Sequence, residues 1–207
     1  MAFVRNGYGQ VEPNQLSAQK TGQIYASLPL DTAVNVLQNG EFMFYDYATG
    51  KVTCGDASTV GEPMLVFNEV KLYEEPYRTT YKDFAMIRVG DNYVTSALAT
   101  AAYGDGAETK GASIAAHTEY PYRMDGIAPR MFKTNIGDIM TTNMVVTGDD
   151  VTYAQGEQLG LKIDTDSHTL VLCKAADAAA NIAMRWVVAK VYTMPDGQAG
   201  LKLQRVI

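Results

Sequence analysis

The chain has 207 residues, is 47% hydrophobic and 19% charged, and carries a formal net charge of −6 with a pI near 4.9. That length allows one large β domain or two small ones, either of which buries most of the surface of the unfolded chain. An acidic balance without a basic stripe argues against a protein that wraps nucleic acid, and no apolar run reaches the ~18 residues of a membrane span.

Residues 1–30 are polar and Gln-rich (Gln10, Gln15, Gln19, Gln23), are broken by Gly7, Gly9, Pro13 and Gly22, and show no clean period of 2 or 3.6. They read as an extended N-terminal arm with at most one strand. The first residues lack the charged and apolar regions of a signal peptide, which places the chain in the cytosol or in something assembled there.

Residues 31–125 read as a β-rich domain. Residues 34–37 and 41–47 flank Asn39-Gly40, a pair that readily takes the positive φ angles of a two-residue hairpin. Phe42, Phe44 and Tyr45 compete there for the buried face. Ala48-Thr49-Gly50 is a second turn, residues 64–72 form another apolar stretch, and Gly90-Asp91-Asn92 is a further hairpin candidate between residues 84–89 and 93–95. The Ala- and Gly-rich stretch at 96–117 reads as a loop, with a short helix around 97–102 as the alternative. Tyr120-Pro121-Tyr122-Arg123-Met124 follows, and a plain solvated linker would not expose such large apolar groups.

Residues 126–207 read as a small antiparallel β-barrel, because short apolar runs are separated by turn residues every eight to twelve positions. A strand opens at Gly137-Asp138-Ile139, residues 144–147 extend or pair with it, and Gly148-Asp149-Asp150 turns the chain. Residues 156–163 alternate with Leu159, Leu161 and Ile163 on one face, residues 164–167 turn, and residues 169–173 return. Residues 175–183 make either two helical turns or a small-residue loop. Residues 185–193 and 201–207 close a final hairpin across Pro195-Asp196-Gly197, with Trp186 in the core. The fold class is thus mainly β: antiparallel sandwich or barrel domains behind an extended arm.

No residue spacing marks a reaction. Asp164-Thr165-Asp166-Ser167-His168 alternates possible ligands, yet it lacks the glycine and the terminal Glu of a calcium loop and reads as a solvated turn. Asp149-Asp150 is first a turn, with no partner carboxylate placed by spacing. His117 and His168 are the two histidines, and no nucleophile elbow accompanies either. Cys54 and Cys173 read as reduced, buried thiols. Gly7-Tyr8-Gly9 lacks the strand-to-helix setting of a phosphate loop. A carboxylate pair for glycoside hydrolysis is compatible with the 23 acidic residues, since spacing says nothing about their separation in space. No catalytic, cofactor-binding or metal-ligating residue is assigned.

The 13 tyrosines and the low charge suit a protein that covers much of its surface with other protein. Interface residues are expected in the arm (Phe3, Val4, Tyr8) and in the stretch that carries Tyr103, Tyr120, Pro121, Tyr122 and Arg123.

Three segments extend this reading: Asn39-Gly40-Glu41-Phe42 through Tyr45-Asp46-Tyr47-Ala48-Thr49-Gly50, then Gly61-Glu62-Pro63-Met64-Leu65-Val66-Phe67-Asn68-Glu69-Val70, and Met194-Pro195-Asp196-Gly197-Gln198-Ala199-Gly200-Leu201-Lys202. From about Asn39 onwards the chain resembles the small head-associated proteins of tailed bacteriophages that decorate or cement the capsid shell. The resemblance implies a β-rich virion protein without enzymatic activity, made in the host cytoplasm and bound to the major capsid protein on the capsid surface. It also implies a homo-oligomer of a size left open, with no nucleic-acid or membrane partner. The alternatives are another phage component (tail tube, head completion or head fibre) and, further off, a carbohydrate-binding module or hydrolase. A major capsid protein would be longer, with a long amphipathic helix.

Overall fold

The computed structural model describes residues 3, 5, 9–31, 33–34, 37–56, 59, 61–67, 129–194 and 197–207. Their elements are β1 (Val11–Gln15), α1 (Ser17–Thr21), β2 (Ile24–Tyr25), β3 (Phe42–Asp46), β4 (Lys51–Thr53), β5 (Met64–Val66), β6 (Met131–Phe132), β7 (Ile139–Thr142), β8 (Gln158–Asp164), β9 (Thr169–Lys174), β10 (Trp186–Thr193) and β11 (Ala199–Arg205). The strands form one curled antiparallel sheet, a half-barrel in the order β1-β7-β11-β10-β8-β9-β3-β5-β6-β2, with β4 paired to β3.

The mainly-β class read from the sequence is what the protein has. The β8–β9 and β10–β11 hairpins fall where alternation and turn residues place them. In β8–β9, Leu161 pairs with Leu172 and Ile163 with Leu170. Trp186 is fully buried beside Phe42, ring centroids 6.0 Å apart. Burying side chains of this size contributes about 1.5–3 kcal/mol each.

Phe42, Phe44 and Tyr45 do not compete for one face, because β3 is covered on both. Phe42 and Phe44 join the main core inside the curl, and Met43 packs with Tyr45 on the outside. There, residues 28–37 lay Leu28, Leu30, Val34 and Leu37 over Met64, Val66 and Met131. Val34 and Leu37 therefore act as a cover; residues 35–36 of the strand expected at 34–37 lie outside the described residues. The Asn39-Gly40 turn leads into β3. Gly40 has φ +92°, and a Cβ there would sit 2.7 Å from both Met144 Cβ and Thr142 Oγ1. Residues 175–183 resolve into a 3₁₀ turn, Ala175–Asp177, followed by irregular chain.

The expected extended arm is corrected where residues 1–30 are described. Phe3 is buried edge-on to Tyr153 at 5.3 Å, and its backbone bonds Val151 and Gly148. Val11, Leu16 and Ala18 are also buried. Their irregular spacing hides any period, yet each reaches the core because β1 adds itself antiparallel to β7. Pro13 is tolerated because β1 is the last strand of the sheet and its register shifts between Glu12 and Gln15.

β1 and β2 stand at opposite ends of the strand order and are joined through α1, which draws the ends of the sheet together. Buried Asp138 fastens this seam. Its carboxylate accepts from Ser17 N and Ser17 Oγ, both at 3.0 Å, and from Asn135 N at 2.9 Å, so it caps α1 from the chain just before β7. Arg205 makes a second tie between distant strands, donating to Glu62, to the Thr134 carbonyl and to Thr134 Oγ1. The boundary expected near residue 125 lies outside the described residues, and strands from either side of it pair within this one sheet.

Candidate functional site

At the β8–β9 end of the sheet, the oxygen-rich sequence Asp164 to His168 forms a tight turn. His168 N donates to the Asp164 carbonyl at 2.9 Å, Asp166 N donates to Asp164 Oδ1 at 3.0 Å, and His168 takes φ 55°. Residues 145–147 cross beside β9 through a parallel bridge from Val145 to Leu172, and Val146 N donates to the Leu172 carbonyl at 2.8 Å. Between this segment, β8 and Arg5 lies a cavity of about 260 Å³ whose lining includes Val145, Thr147, Lys162, Asp164 and Val171.

Arg5 is the strongest donor at the cavity wall. Among the described residues, its guanidinium has a single hydrogen-bond acceptor, the Met144 thioether sulfur at 2.9 Å. Sulfur is a weak acceptor, so most of the five N–H donors remain available. Burial pulls the Arg5 pKa below its ordinary value, and Glu41 and Asp164 pull it back up.

Glu41, with Arg5 and Asp164 among the charges it senses, is fully buried. Its Oε2 accepts from Gln38 N at 2.7 Å, which ties the turn before β3, while Oε1 has no hydrogen-bond partner. Burial pushes the carboxyl up to about 8, against the opposing pull of the Gln38 backbone, the Thr169 hydroxyl and Arg5. At neutral pH the group is therefore mostly protonated. Neither position carries a sequence signal. Arg5 sits in an aperiodic polar stretch, and Glu41 follows a turn pair at the start of a hairpin strand.

A second region lies at β5–β6. Leu65 pairs with Phe132 and Val66 with Met131, and Phe67 N donates to the Arg130 carbonyl at 3.0 Å. Phe67 and Arg130, which stand on either side of residues 68–128, are thus neighbours at the end of one antiparallel pair. Met64, Leu65, Val66, Met131 and Phe132 are all buried. Phe67 packs on Phe132 at 5.5 Å, with the Arg130 guanidinium 5.2 Å over the Phe132 ring.

At the β3–β4 turn, Tyr47 is 89% exposed and meets Tyr45 edge-on at 4.9 Å. Asp46 builds that turn by accepting from Ala48 N at 2.8 Å and Thr49 Oγ1 at 2.7 Å. Tyr47 is the large hydrophobic side chain most open to contact among the described residues, and no sequence pattern marks it for contact.

Of the interface residues expected from sequence, Phe3 is a core residue, which corrects that expectation. Its ring fills the space beside Tyr153, so it has no surface to offer. Val4, Tyr8, Tyr103, Tyr120, Pro121, Tyr122 and Arg123 lie outside the described residues, as do His117, the hairpin candidate at 90–92 and the loop at 96–117. Asp149 and Asp150 are exposed in a turn. Among the described residues, no three His, Cys, Asp or Glu side chains come together in a way that could hold a metal ion. Both cysteines are free, and burial raises the Cys54 thiol and pushes the Cys173 thiol up to about 11, so neither is poised as a thiolate. No protein-family model, curated protein or solved structure matches the chain.

Proposed function

We propose that this chain is a non-enzymatic structural protein of a tailed-bacteriophage particle, which binds the outside of the assembled capsid and stabilises it by bridging neighbouring subunits. The observation that carries this reading is the pair of buried strands, β5 and β6, whose ends flank residues 68–128 in the sequence. Both ends are fixed by the Phe67 to Arg130 hydrogen bond on a strand pair that is buried on both faces. The segment holds Tyr73, Tyr77, Tyr81, Tyr93, Tyr103, Tyr120 and Tyr122, more than half of the chain's 13 tyrosines. Amphipathic rings of this kind favour contact with another protein. A sheet that fixes both ends of such a segment lowers the entropy lost when it engages a partner. Tyr47, exposed on a rigid turn, offers a second contact. Bridging strengthens a shell because each buried interface must break before the subunits part.

The test excises residues 68–128 and joins Phe67 to Pro129 through a short Gly-rich turn. The excised chain is expected to keep cooperative unfolding while losing attachment to purified shells. Unchanged occupancy would refute the assignment. Spontaneous assembly of the intact chain into rods would instead make it a tube protein.

A further inference from the structure

We propose that the cavity beside Arg5 and Lys162 is a receptor for a single carboxylate group carried on a short stem. The inference rests on the cavity alone and stands whether or not the chain belongs to a capsid. Two cations line the cavity, Arg5 and Lys162, against one lining carboxylate, Asp164. Glu41, a charge that Arg5 senses, is mostly neutral at pH 7. Among the described lining residues the balance is one uncompensated positive charge, which a monoanion cancels; a dianion such as phosphate would leave excess negative charge beside Asp164. Arg5 supplies the planar donor fork that matches a carboxylate, and its present acceptor, the Met144 sulfur, gives up little when a better one arrives.

Val145, Val146, Ile163 and Val171 share the remaining wall with Thr147 and Thr165, so the cavity is lined by polar and apolar groups together. A volume of about 260 Å³ falls just under the usual range for drug-sized ligands, which limits the guest to a few carbon atoms. A free short-chain acid and an Asp or Glu side chain of a partner protein share this chemistry.

Binding is coupled to the proton on Glu41. The charges Glu41 senses are Arg5 and Asp164. A bound carboxylate on Arg5 adds a negative charge beside it and withdraws Arg5's support for the ionised form. Affinity should therefore fall as pH rises through about 8, and binding near that pH should take up a proton.

The experiment titrates the full chain by calorimetry with sodium butyrate and, separately, with N-acetyl-glutamate amide, at pH 6 and pH 8, in two buffers of different ionisation enthalpy. One-site binding of either probe is expected, tighter at pH 6, with proton uptake at pH 8 that disappears in Glu41→Gln. Preference for butyrate identifies a free acid as the guest, and preference for the glutamate probe identifies a partner's side chain; both support the receptor. Arg5→Gln should abolish binding, and Lys162→Gln, on an open strand position, should weaken it about tenfold. Absence of heat with both probes on the folded wild type, or equal affinity in folded Lys162→Gln, overturns the proposal.

Discussion

At the scale of the residue, Glu41 makes stability depend on pH. Its carboxyl is raised from 4.5 to about 8 in the folded chain, so the folded state binds more protons than the unfolded state between those values. The associated stability is complete below pH 4.5 and is lost as pH climbs through about 8, by up to about 5 kcal/mol across the window. Urea unfolding at pH 5.5, 7 and 8.5 should show wild type weakening with pH, whereas Glu41→Gln, which keeps an acceptor for Gln38 N, should stay nearly level; parallel slopes in the two proteins would contradict this. Gly40 gives a second residue-scale expectation. Alanine there meets φ +92° and two atoms at 2.7 Å, so Gly40→Ala should lower stability by about 2 kcal/mol, read from the denaturation midpoint. The sequence discloses the turn at Gly40 but not the buried acid next to it, because burial of Glu41 follows from β9 and Arg5 closing over it from distant parts of the chain.

At the scale of the element, what can be read in the sequence tracks how local the cause is. β8, β9, β10 and β11 are legible because alternating apolar residues and adjacent turns specify both partners of each hairpin within about thirty residues or fewer. β1 is not legible: Val11-Glu12-Pro13-Asn14-Gln15 has one apolar residue and a proline, and it becomes a strand only because β7 offers it an edge. Likewise α1 is five residues long with no side-chain cap of its own, and its N-terminal donor is satisfied by Asp138. Asp138→Ala should therefore cost about 2–3 kcal/mol by stranding Ser17 N and Asn135 N, with Asp138→Asn clearly milder; equal losses would show that the charge and its acceptors are not what secures the seam. Arg205→Met should cost about 3 kcal/mol, because it leaves Thr134 and Glu62 without the guanidinium that joins β11 to the start of β5.

At the scale of the whole molecule, one curled sheet runs through the parts of the chain on both sides of residues 68–128, and the first residues belong to it. Deleting residues 1–22 therefore removes Phe3, β1 and α1 from a packed body and should abolish cooperative folding, where loss of a detachable arm would leave the melting curve intact. Under the proposed function, the sheet would hold contact segments in place. Local pattern in the sequence suffices to give the β class. The contact residues stay hidden, because exposure of a tyrosine such as Tyr47 depends on which other elements cover the turn that carries it. The most direct measurement is quantitative mass spectrometry of gradient-purified virus particles after a salt wash. The account predicts this chain at a fixed ratio to the major capsid protein, retained until the shell itself is dissociated. Recovery of the chain only as a free soluble monomer, with none on the particles, would contradict it.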